Sequence, residues 1–66
     1  MDNYFMNLMD TDSGKVGTIE LPDNCAIIVR FATEEIEHID ARGHRTIYHA
    51  HTVHKLTKLI NELINF

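Results

Sequence analysis

Three histidines fall within six residues in the stretch YHAHTVHK, Tyr48 to Lys55. Neutral imidazole is a common zinc ligand, and three of them with an open fourth position can hold the ion. His49 and His51 lie two apart, so in an extended strand they would point the same way, with His54 following one turn into a helix. Just upstream, Arg42, His44 and Arg45 crowd around Gly43, a grouping able to contact phosphates from a loop tip. A third group is acidic. Glu34, Glu35, Glu37 and Asp40 are the densest carboxylates of the chain, and such a cluster can imitate phosphates on a basic groove.

Each grouping lacks something. The three histidines have the His-x-His-x-x-His spacing of the metallo-β-lactamase-type signature, which carries an aspartate where this chain has Val53. That family also needs a much larger scaffold, and nothing of it is carried over. No cysteine supplements the histidines, since Cys25 is the only one and opens an apolar run where core packing is expected. Polar surface or partner contact is therefore the expected role of His49, His51 and His54, with no cofactor. A pH response is also open, because protonating all five histidines moves the formal charge from −4 to +1. Asp10, Asp12, Gly14 and Glu20 resemble part of an EF-hand calcium loop, yet one residue and one oxygen ligand are missing. A hairpin turn is expected there. Ser13 is the only serine and no glycine-rich phosphate loop is present, so no enzymatic activity is expected.

Composition narrows the class further. At 66 residues the chain makes one small domain of modest core, which leaves a metal, self-association or good packing to stabilise it. A basic leader and a membrane-length apolar run are both lacking, which leads to the expectation of a cytoplasmic protein without membrane contact. Residues 1–40 carry nine acids against Lys15 and Arg30, or −7, while residues 41–66 carry Arg42, Arg45, Lys55 and Lys58 against Glu62, or +3. A pI near 5.6 has the wrong sign for a dedicated nucleic-acid binder, so that partner is possible but not favoured.

The elements that must position these groups follow from turn signals and periodicity. DTDSG separates two strands at about 3–10 and 15–21, and LPDN precedes a third at about 25–32, whose apolar run suits burial on both faces. RTIYHA reads as a strand at 45–50. Residues 34–40 either pair with it across DARG or form a short helix capped by Thr33. The hairpin is the favoured reading. Thr52 caps a helix over 53–65, with Val53, Leu56, Leu59, Ile60, Leu63 and Ile64 at helical spacing. The expected fold class is α+β, a mostly antiparallel sheet of three to five strands packed on one C-terminal helix. The face away from the helix, bearing Tyr4, Met6 or Tyr48, is expected to stay partly apolar and to bind another chain.

These features lead to a non-enzymatic interaction module that binds and regulates or inhibits a larger protein, with homodimerisation expected. Its size suits an accessory protein of the kind that phages and mobile elements encode. The expected contacts are Arg42, His44, Arg45, His49, His51 and His54. If the acidic half acts, Glu34, Glu35, Glu37 and Asp40 serve instead, as a nucleic-acid mimic.

Overall fold

Residues 4–65 are described by a computed structural model, in which five antiparallel strands and one C-terminal helix form an α+β fold. The strands are β1 (Asn7–Thr11), β2 (Gly14–Glu20), β3 (Ala26–Arg30), β4 (Glu35–Ile39) and β5 (Arg45–His49), and the helix is α1 (Val53–Ile64). They lie in the sheet in chain order, each antiparallel to its neighbour. The expected first strand reached back to Asn3, which lies outside the described residues. β1 itself begins at Asn7 and runs to Thr11.

Local chemistry sets each turn. Thr11 Oγ1 donates to the Gly14 carbonyl at 2.6 Å and accepts from the Ser13 N–H at 3.2 Å, closing the loop that resembled a calcium site. Asp23 and Asn24 sit at φ 61° and 64°, the pair of positive values that a type I′ turn needs. Asp40 and Gly43 shape the last turn, with Gly43 at φ 84° and its N–H donating to the Asp40 carbonyl at 2.9 Å. Segment 35–39 is a strand and not a helix. Between β3 and β5 its backbone is paired on both sides, whereas a lone helix of that length is marginal.

Alternation then divides the side chains. Ile19, Ile27, Val29 and Ile36 point to one face and join Ala50 and Leu63 in the core, with Leu56, Leu59, Ile60 and Ile64 of α1 packed against them. Thr52 caps α1 as expected, its side-chain oxygen accepting from the Lys55 N–H at 3.1 Å. Val53 does not join the apolar stripe. It is 79% exposed and is not among the residues packed on the core.

Three further expectations need correction. Tyr4, Met6 and Tyr48 pack on the helix side, against the core, and not on the open face. Met6 reaches it by lying across β2 at Gly17, where a Cβ would collide with its side chain. β3 is the middle strand but is not buried on both faces, since Ile27 and Val29 are sealed while Ala26, Ile28 and Arg30 stay half-exposed. Cys25 lies half-buried in the turn before β3, its thiol 3.8 Å from the Asp23 carbonyl. No helix among the described residues is long and apolar enough to cross a membrane.

Candidate interaction face

The face away from α1 takes the other set of alternate residues. Register fixes its rows: Met9, Val16, Arg30, Glu35 and His49 form one, and Asn7, Thr18, Ile28, Glu37 and Ile47 the next. Glu20, Ala26, Ile39 and Arg45 form the third. Two features stand out physically. Met9 and Ile47 are 66% and 52% exposed at opposite edges. Between them, Glu37 is only 3% exposed although nothing from the helix covers it.

Two arginines bury it. Arg30 on β3 donates from Nη2 to Glu37 Oε1 at 2.6 Å, and Arg45 on β5 donates from Nη1 to Oε2 at 3.0 Å. Neither is directly opposite Glu37 in the register, where Ile28 and Ile47 sit. Both reach it along the diagonal, a distance that long side chains span. The hydrogen bond from Arg30 holds the Glu37 carboxyl below the usual carboxylate range, burial opposes this, and Arg45 adds to the lowering. The triad therefore carries one net positive charge. Arg30 and Arg45 retain further N–H donors and are 36% and 64% exposed at the side chain, so an acidic partner group could dock on a pre-ordered pair of guanidinium groups.

The residues singled out in sequence fall in three places. Arg45, Glu37, Glu35 and His49 are together on the open face. Glu35 accepts from Thr33 Oγ1 at 2.9 Å and lies 3.7 Å from His49 Nε2. Glu37, counted in sequence among the acids that would imitate phosphates, is buried and paired with both arginines. Arg42 and His44 sit exposed in the β4–β5 turn, where their backbone N–H groups donate to Asp40 Oδ1 at 2.9 Å each. Those bonds, that of His44 first, hold the Asp40 carboxyl below its ordinary range. Asp40 thus shapes the turn while staying a half-exposed carboxylate.

The histidines separate. β5 ends at His49, so His51 is not in the strand and its Nδ1 faces Glu34 Oε2 at 3.4 Å. The His54 side chain is exposed in the first turn of α1 and makes no hydrogen bond or ion pair among the described residues. No group of three or more His, Cys, Asp or Glu among the described residues is placed to hold a metal ion. The linear division of charge is also dissolved by folding, because acidic β4 lies between Arg30 on β3 and Arg45 on β5.

The triad itself was missed in sequence. Its signal is parity: once 35–39 is a strand, Glu35, Glu37 and Ile39 share one face and Ile36 the other, leaving a carboxylate in the middle of a sheet. Such a position calls for a cation on each neighbouring strand. No family model, curated protein or solved structure matches this chain.

Proposed function

We propose that this chain is a non-enzymatic interaction module that binds and regulates a larger protein, seating it on the open face of the sheet. One observation carries the reading. The uncovered face combines exposed Met9 and Ile47 with two arginines held in place by a buried carboxylate. Apolar contacts around a pre-ordered arginine pair are the usual anatomy of a binding hot spot. The partner chemistry follows: an apolar surface carrying an Asp or Glu that meets Arg30 and Arg45. The cytoplasmic setting and the inhibitor role of a phage or mobile-element accessory protein belong to the same reading.

The test is native mass spectrometry of untagged protein drawn gently from its own cells, repeated for surface variants. A stoichiometric complex with one larger protein is expected, lost in Ile47→Asp and weakened in Arg45→Ala. Val53→Asp, at a still more exposed apolar residue outside this face, should leave it intact. A complex indifferent to Ile47→Asp, or a metal-bearing mass that chelator removes together with the partner, overturns the proposal.

A further inference from the structure

The two edges of the sheet differ, and the backbone hydrogen bonds of its turns show how. Phe31 N–H donates to the Lys15 carbonyl and Leu21 N–H to that of Cys25, so the odd residues of β2 bond β3. Its even residues then bond β1, through their partners Asn7, Met9 and Thr11. That leaves the N–H and C=O groups of Leu8 and Asp10 turned away from the sheet. At the other edge, Ala50 N–H donates to the Glu34 carbonyl and Asp40 N–H to that of His44. The same parity turns the peptide groups of Arg45, Ile47 and His49 outward from β5.

All five residues of β1 are exposed, including Leu8 at 58% and Met9 at 66%. The strand holds no lysine, proline or bulge of the kind that discourages edge pairing. We propose that the outer edge of β1 pairs antiparallel with the same edge of a second copy of this chain. The midpoint of the strand is Met9, and a two-fold axis there overlaps the whole strand: Asn7 meets Thr11, Leu8 meets Asp10 and Met9 meets Met9. No charge faces its like. Centring on Asp10 would oppose two carboxylates, which like-charge pairing disfavours. A matching arrangement on β5 sets the charged Arg45 against His49, and charged side chains discourage edge pairing, so the β5 edge is the guarded one. In the β1 pair the axis is perpendicular to the sheet, which places both helices on one side and joins the two open faces into one surface. The pairing stands whether or not that surface takes a larger protein.

Five residues per edge is a small contact, and interfaces at the low end of the size range are weak and transient. Sedimentation velocity over a dilution series should therefore show monomer and dimer in exchange, with a dissociation constant on the order of 10–100 μM. Leu8→Pro removes an outward N–H without touching the β1–β2 ladder, and proline is tolerated on edge strands. It should yield monomer with an unchanged far-UV circular dichroism spectrum, while Ile47→Pro leaves the dimer in place. Met9→Cys in a Cys25→Ser background should cross-link under mild oxidation, and Ile47→Cys in the same background should not. A wild-type chain that stays monomeric at about 1 mM, a dimer that survives Leu8→Pro, or cross-linking through Ile47→Cys alone overturns the proposal.

Discussion

On the helix side of the sheet Ile27, Val29 and Ile36 are sealed at 0%, 2% and 0% exposure. One residue along the same strands, Ile28 and Arg30 stay half-exposed, and Glu37 is sealed by two arginines instead of by hydrocarbon. Both faces thus exclude water from their centres, by different means. Removing apolar surface from water is non-directional and tolerates imprecise neighbours. Removing a carboxylate from water is tolerable only when both oxygens meet donors in good geometry. The covered face therefore stabilises the domain, whereas the open face fixes two cations in position at little net gain. Positioned groups with little stabilising work to do are what a recognition surface needs.

Substitutions can break or sharpen that contrast. Ile36→Ala should cost about 3 kcal/mol in urea denaturation, the loss from transfer plus a residual cavity. Ile47→Ala on the other face should stay within about 0.5 kcal/mol. Equal costs would mean the two faces are not energetically distinct.

Glu37→Gln should come next, at about 2 kcal/mol near neutral pH. Breaking a fully buried pair costs more, and the partial exposure of both arginines tempers it. Its pH signature is more telling. Because the folded carboxyl is held below its unfolded value, its contribution is complete above about pH 4.3 and declines as pH falls through the folded value. The wild-type chain should lose stability on that acid limb, and Glu37→Gln should lose less of it. An unchanged acid limb would remove the triad from the account. Apart from the near-neutral Ile47→Ala, the smallest effect expected is Thr52→Ala, about 1 kcal/mol from the lost helix cap, read as a lower thermal midpoint. The first turn of α1 holds Lys55 and no acid, so no favourable charge–dipole term compensates there.

The parts of this fold legible in sequence were those written in local chemistry. Asp, Ser and Gly announced the β1–β2 turn, Pro22, Asp23 and Asn24 the next, and Thr52 with the leucine spacing the helix. Register was not legible, and most of the open face depends on it. A one-residue shift would send Glu37 to the core side and Ile36 outward. Nothing in the segment TEEIEHID alone says which of its acids meets an arginine. Tyr4, Met6 and Tyr48 were assigned to the wrong face for the same reason, and Gly17, the residue that admits Met6, gave no sign of its role. The histidine spacing was visible, but it spans three pieces of structure: β5 ends at His49, His51 lies in the connection that bends at Thr52, and His54 is in α1.

The sequential order of the strands has a kinetic consequence. Every strand pairs with the one made just before it, across turns of only a few residues, so the entropy lost in closing each loop is small. Chains dominated by such neighbouring contacts cross their folding barrier quickly for a β-rich protein. The sheet can zip hairpin by hairpin as the chain leaves the ribosome. Only the last step, docking on Ile27, Val29 and Ile36, must wait for α1 itself, and until then those three side chains remain wet.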